Sequence, residues 1–489
     1  MLSQFQRPGF NPWWLKSGLF LLWLLISTPV AQAIPHPDYS FDVYEVPKAS
    51  KWREGPRILI IGGIHGDEPG GYLAAEYALD GTVSQGKVHI IPRINKRAII
   101  LNYRGFHADM NRLFRDDIEP SIPEEYTVRE LIRILPQYDY VLSLHDGSGY
   151  YHPTYIDSQR NPLRYGQSII IDTDVYEHTR HGNVCLQCIA DEVVAHVNAH
   201  KIQDGHRFHV SNHETASEQT SHVEQRTSLT YYTLTRLGIP AFCSEASKLL
   251  PDNAHKVYYH MHVIDSFLQA TGVGYQAPEH DLASLNQFLD ETRTLRAVEI
   301  FINDEPRMVP PSARLHLRPG DTIAVGAILG DRKQPWFPDI YGTGNYNDRG
   351  ITHTVDQETK IVIRSDNQDM GTIQVRLADE PVEYFEVVVD GEQKTLRQGE
   401  IVHAHRSFEV LTGTGRQQSD SMVNVQGYVP PGLEGKVPDD RSYALHPKEL
   451  DWRFSVHRQG LKYRVHGFDD HSYRSTGEVY FTVDDVYGR

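Results

Sequence analysis

The stretch Ile58–Gly71 reads ILIIGGIHGDEPGG, four consecutive apolar residues, two glycines, then His65 and Glu68 just where Pro69-Gly70-Gly71 opens a helical pattern. A continuous apolar run suits a strand buried on both faces of a sheet, and strand–turn–helix is the unit of α/β domains. An H-x-x-E spacing on that turn lets one imidazole and one carboxylate converge on a cation. The C-terminal edge of the strands is where open α/β sheets bind ligands.

The alternation continues outward from Arg57 to about Thr271. Short apolar runs predict further strands at 88–91, 140–144, 168–171 and 239–243, and 3.6-residue periodicity predicts helices at 70–79, 124–135, 189–200 and 254–268. In YVLSLHDG, residues 140–147, His145 also falls at a strand's C-terminal end. Two histidines and one glutamate, with a fourth position left for water, are the donor set of a catalytic zinc. Any one of the 26 histidines taken alone is ordinarily a surface or core residue, so the argument rests on the company these two keep.

After about Gln276 the pattern changes to period two. Val298, Ile300 and Ile302 alternate, as do Ile361 and Ile363, then Ile373, Val375 and Leu377. A second β-rich stretch starts at Tyr384, where Asp390-Gly391 signals a hairpin. The expected organisation is a segment 1–33 to be removed, an α/β domain over 34–282, a β domain over 283–382 and a β-sandwich over 383–489.

Between the two ligand segments lies INKRAIILNYRGFHADMNRLFRD, with Arg104 ahead of Asp109-Met110-Asn111-Arg112, a D-x-N-R motif. With H-x-x-E at His65 to Glu68, the strand-borne His145 and a late glutamate, Glu245, in GIPAFCSEAS, the chain resembles the zinc carboxypeptidase (carboxypeptidase A-like) superfamily and its aspartoacylase and succinylglutamate desuccinylase relatives. The resemblance implies a mixed sheet with flanking helices and one Zn²⁺ per chain on His65, Glu68 and His145. Zinc there would lower the pKa of bound water toward ~7 and polarise the scissile carbonyl. Glu245 would carry the proton as base and then acid, and Asp109 would orient the His65 imidazole. Asn111 and Arg112 would grip the substrate's terminal carboxylate. Arg104 would stabilise the oxyanion or bind a second carboxylate. The family also places a mobile tyrosine upstream of the glutamate, for which Tyr231 and Tyr232 are candidates; Tyr150 and Tyr151 could equally line the pocket.

Export, domain order and the GGIHGDEPGG and LSLHDGSG segments are similar to the periplasmic cell-shape-determining DL-carboxypeptidases, whose catalytic domain precedes a small β domain and an immunoglobulin-like domain. That resemblance implies a peptidoglycan tripeptide as substrate and meso-diaminopimelate as the released residue. Two other readings stand beside it: an amidohydrolase acting on small N-acyl amino acids, and a non-catalytic cell-wall binding protein. Retention of all three ligands together with Glu245 weighs against the last.

Composition sets the frame. Of 489 residues, 48 are Lys or Arg and 64 Asp or Glu, a formal charge of −16, which excludes a basic nucleic-acid binder. The first 33 residues carry Arg7, Lys16, an apolar run from Leu19 to Ile26 and the small-residue site Ala31-Gln32-Ala33, the form of a cleavable signal peptide. The run is too short for a stable span, so a periplasmic protein with no membrane span after cleavage is expected, an uncleaved N-terminal anchor being the alternative, with charge −18 once Arg7 and Lys16 are removed. Three cysteines make no disulfide framework, and one must stay free or buried. Cys185, Cys188, His196 and His200 superficially resemble a zinc site, but a continuous helix sets Cys188 and His200 about 18 Å apart. A surface helix with a vicinal thiol pair is expected instead.

Overall fold

In the computed structural model, residues 39–178, 182–332, 335–415, 420–429, 439–468 and 474–485 are described; the signal segment expected over 1–33 lies outside them. The apolar run forms the buried end of β2 (Lys48–Gly62), which follows β1 (Tyr44–Glu45) in a mixed eight-stranded sheet. The others are β3 (Thr82–Ile91), β4 (Tyr140–Gly147), β5 (Ser168–Ile171), β6 (His209–Asn212), β7 (Ala241–Ser247) and β8 (Gly274–Gln276). Their order is β1-β3-β2-β4-β7-β5-β6, with β8 also on β3. The central strands β3, β2, β4 and β7 run parallel, and β5 enters antiparallel to β7. Ile58 and Ile60 face one core cluster while Leu59 and Ile61 face another, so the run is buried on both sides.

Helices cover both faces: α1 (Pro69–Tyr77), α2 (Lys96–Leu101), α3 (Pro123–Ile134), α4 (Leu186–Ala199), α5 (Leu229–Leu237), α6 (Asn253–Ala270) and α7 (Leu282–Glu291). Gly71 lets α1 lie against β4, because a Cβ there would come within 2.4 Å of the Leu144 carbonyl oxygen.

Three local readings differ. The strand expected from Ile239 begins at Ala241, because Gly238 adopts φ +65° to end α5 and the Ile239 N–H is spent on the Thr233 carbonyl. The stretch 282–291, expected to begin the β region, is α7, capped by Asp281 on the Ser284 N–H and anchored by Leu285 and Phe288 in the α/β core. The vicinal thiols are a correction: Cys185 and Cys188 form a disulfide, and α4 starts after Cys185. Two thiols three residues apart read alike in sequence whether oxidised or not. Cys243 is free and buried.

Beyond α7, two four-stranded sheets enclose a core built from the alternating residues, including Val298, Ile300, Ile361, Ile363, Ile373 and Val375. The remaining strands form a seven-membered sheet whose strand Asp420–Val425 pairs with Phe408–Thr414 at one end and Lys462–Phe468 at the other, a corner that folds one sheet into two leaves. Asp390 and Gly391 both take positive φ between paired Val389 and Glu392, the geometry a two-residue hairpin demands. No helix among the described residues is long and apolar enough to cross a membrane.

One buried cluster of charges ties the first β sandwich to the α/β body. Arg93, 3% exposed, makes a bidentate pair with Asp366 (2.6 and 3.0 Å) and lies 2.7 Å from Glu76. Asp366→Ala leaves that guanidinium buried with one partner fewer. Breaking such a pair costs about 3–5 kcal/mol, so the urea midpoint should fall accordingly; an unchanged midpoint would refute the assignment.

Candidate active site

The turn after β2 carries His65, and Glu68 is the N-cap residue of α1. Asp146 on β4 reaches across to accept the Gly70 N–H (2.9 Å), and its own N–H donates to Glu68 Oε2 (3.2 Å), so the strand end and the helix start hold each other. The result is a tight triangle. His65 Nδ1 lies 3.0 Å from Glu68 Oε2, His145 Nδ1 lies 2.9 Å from the same oxygen, and the two imidazole nitrogens are 3.1 Å apart. All three residues are buried. Three lone-pair atoms at this separation, two imidazole and one carboxylate, are a donor set suited to Zn²⁺.

Behind the triangle, His65 Nε2 donates to Asp109 Oδ1 (3.0 Å), so Nδ1, on the Glu68 side, is the nitrogen an ion would take. Asp109 caps the short turn Met110–Arg112 by accepting the Asn111 N–H (2.9 Å), and its second oxygen accepts from Arg104 Nε (3.0 Å). Arg104 also donates to Glu68 Oε1 (3.2 Å) while staying half-exposed. Burial opposes a charge on His65, but Glu68 and Asp109 outweigh it and lift its pKa to about 9. Without metal the site thus holds a proton, so it is built around a positive charge.

Glu245 stands on β7 directly in register with His145 on β4 and is half-buried. Burial first, then the Glu68 carboxylate, push its pKa well up, against the pull of His65 and Arg104. These groups line one cavity of about 290 Å³, together with Asn111 and Arg112. The Asn111 side-chain oxygen accepts the Leu229 N–H (2.9 Å), which anchors its amide at the start of α5. Arg112 donates to the Asn111 carbonyl (2.8 Å) and, among the described residues, makes no ion pair. Its charge is therefore available to a ligand.

Sequence reasoning missed several lining residues. Lys248 sits 2.7 Å from Asp67 and 3.7 Å from Glu68, and Tyr165, Asp172, His213 and Thr230 also face the cavity. They come from loops and strand ends without periodic signature; for Lys248 the only signal was its place three residues after Glu245. None of the four tyrosines raised earlier lines it. Tyr232 is buried in the core under β4 with its hydroxyl on Asp116, and Tyr150 stacks on His206.

Comparison with known proteins agrees with this architecture. Structures of the cell shape determinant protein Csd4 from Helicobacter pylori, one with bound product and one described as the mDAP-bound form of a D,L-carboxypeptidase, superpose with TM-scores of 0.66 and 0.65 at 24% identity. They cover 91% and 90% of this chain and all of theirs, which shows a shared fold. The N-alpha-acetyl-L-2,4-diaminobutyric acid deacetylase of Halomonas elongata is 37% identical over 103 residues, 19% of this chain; the match spans 29% of that protein's length. Residues 378–482 match the C-terminal domain of metallo-carboxypeptidase, and residues 19–287, more than half of the chain, match the catalytic domain of carboxypeptidases controlling helical cell shape. The chain belongs to that family of cell-shape-controlling carboxypeptidases.

Proposed function

We propose that the protein is a periplasmic zinc carboxypeptidase that removes the C-terminal residue, meso-diaminopimelate, from peptidoglycan tripeptides, with His65, Glu68 and His145 as metal ligands. The observation that carries this reading is the convergence of the three donor atoms within 3.1 Å beside an in-register carboxylate, Glu245. Bound Zn²⁺ supplies a Lewis acid and a water acidic enough to be a nucleophile. Glu245 takes the water's proton and returns it to the leaving amine. Burial and the neighbouring Glu68 carboxylate hold its carboxyl above the ordinary glutamate range, which suits that return. Arg112, with the Asn111 amide, binds the terminal carboxylate and sets which peptide bond faces Glu245. Arg104 is split between Asp109 and Glu68 and stays half-exposed, so it serves the oxyanion or a second carboxylate while holding the ligand Glu68 and, through Asp109, the His65 imidazole. Diaminopimelate carries two carboxylates, and the Csd4 structures, described with tripeptide and with mDAP bound, support that substrate class. The division into an α/β domain, a β domain and a β-sandwich, with the first boundary moved past α7, the exported state and the choice of zinc are parts of the same proposal.

The test is to incubate zinc-loaded protein with purified tripeptide muropeptide and follow diaminopimelate release by mass spectrometry. No release from a preparation that does cleave small N-acyl amino acids would overturn the substrate and favour the amidohydrolase reading. Arg112→Ala should raise KM about tenfold or more with a smaller change in kcat, on the scale of a lost charged hydrogen bond. Arg112→Lys should restore only part of the loss, because an ammonium cannot reproduce the bidentate fork. An unaltered KM in Arg112→Ala would remove it from the binding site.

A further inference from the structure

His196 and His200, the histidines that looked like half of a zinc site, do meet a partner, on another helix. They lie one turn apart at the C-terminal end of α4, and α6 packs beside them carrying His262. Ring centroids are 4.6 Å apart for His196 and His200, 5.7 Å for His196 and His262, and 4.5 Å for His200 and His262. One ring nitrogen from each lies within 4.8 Å of the others. A tetrahedral ion with bonds of ~2.0–2.1 Å needs its ligand atoms about 3.4 Å apart, a modest contraction from these separations.

Within the trio, His200 carries a hydrogen bond of the kind that prepares an imidazole for a metal. His200 Nδ1 donates to the His196 carbonyl (2.9 Å), which leaves Nε2 as a lone pair. His196 Nε2 is buried with no hydrogen-bond partner. A fourth imidazole, His280 on the approach to α7, lies 4.7 Å from His262; its Nδ1 donates to the Pro278 carbonyl (2.8 Å), and its Nε2 is likewise buried and unpartnered. A buried nitrogen without a partner costs about 1–3 kcal/mol, and here two occur in one cluster. Among the described residues no carboxylate pairs with any of the four, so protonation would crowd like charges together and leave the deficit standing. A metal ion satisfies it. Another trio, His403, His405 and Asp484, is exposed and already bonded within itself, so it carries no such deficit.

We propose that His196, His200 and His262 form a second metal site, separate from the catalytic triangle, for a first-row divalent ion that favours imidazole, with Zn²⁺ as the ion in question and His280, whose ring neighbours that of His262, as the candidate fourth ligand. The ion clamps the end of α4 to α6 and to the segment entering α7. Its role is structural. Cys185 and Cys188, at the opposite end of α4, take no part.

The test counts metal. Protein stripped with a chelator is dialysed against Zn²⁺ at neutral pH, and bound zinc is measured by mass spectrometry for wild type, His262→Gln, His145→Ala and the double variant. Wild type should bind two equivalents and His262→Gln one. His145→Ala should retain an ion with an all-imidazole shell by X-ray absorption, and zinc should still raise its unfolding midpoint, whereas the double variant should show neither effect. His200→Gln, at the exposed rim, gives the same readouts if His262→Gln does not fold. A single equivalent in wild type, two in His262→Gln or His200→Gln, or a retained ion without an imidazole shell would overturn the second site.

Discussion

Glu245→Gln should bind zinc as wild type does and lose about 10²–10⁴-fold in kcat, the usual contribution of a positioned general acid–base group. The amide matches the carboxylate in shape and keeps the packing beside His145, so metal content and unfolding midpoint should stay within error. What it removes is the ability to take and return a proton. The pH profile supplies an independent check. Burial and the Glu68 carboxylate push the Glu245 carboxyl up, so its basic form populates only as pH rises. In wild type, kcat/KM should therefore climb with pH through an acid limb displaced above the ordinary glutamate range. The residual activity of Glu245→Gln should lack that limb. A variant with wild-type turnover would remove Glu245 from the proton path.

His145→Ala should lose the catalytic ion itself, and with it ~10³-fold or more of the rate, since Lewis-acid stabilisation is worth several kcal/mol. Removing one corner of a triangle 2.9–3.1 Å on a side leaves two donors from the same turn, too few to hold an ion on their own. Chelation of the wild-type enzyme should give the same loss, reversed by added zinc, while His145→Ala should not recover. Loading has a pH signature too. With the His65 pKa at about 9, metal-free protein at neutral pH carries a proton that the ion must displace. Affinity should thus rise with pH up to about 9, and calorimetry in buffers of different ionisation enthalpy should register proton release. Full activity in metal-free protein would sink the assignment.

How much of this could be read from the chain alone depends on how local the determinant is. The turn bearing His65 and Glu68 is written in consecutive residues, and His145 ends an unmistakably apolar strand. Tyr165 joins the cavity only through tertiary packing, so no spacing rule reaches it, and Lys248 has no more signal than its nearness to Glu245 in the chain. The antiparallel entry of β5 beside β7 likewise follows from long-range pairing. α7 was hidden because its apolar positions, Leu282, Leu285, Phe288 and Leu289, span too few turns to stand out from the strands that follow. The four-histidine cluster was half visible: the i, i+4 pair showed in sequence, but its partner on α6 lies about sixty residues on.

The pairing of β4 with β7 has a kinetic side. His145 and Glu245 become neighbours only when two strands a hundred residues apart align in one register. Successive strand residues point to opposite faces, so a slip of one position would turn either side chain away from the cavity. Contacts of such long loop closure form late in folding. A refolding chain should therefore regain helicity and collapse before it regains hydrolysis, and recovered activity reports that the centre of the sheet has closed correctly.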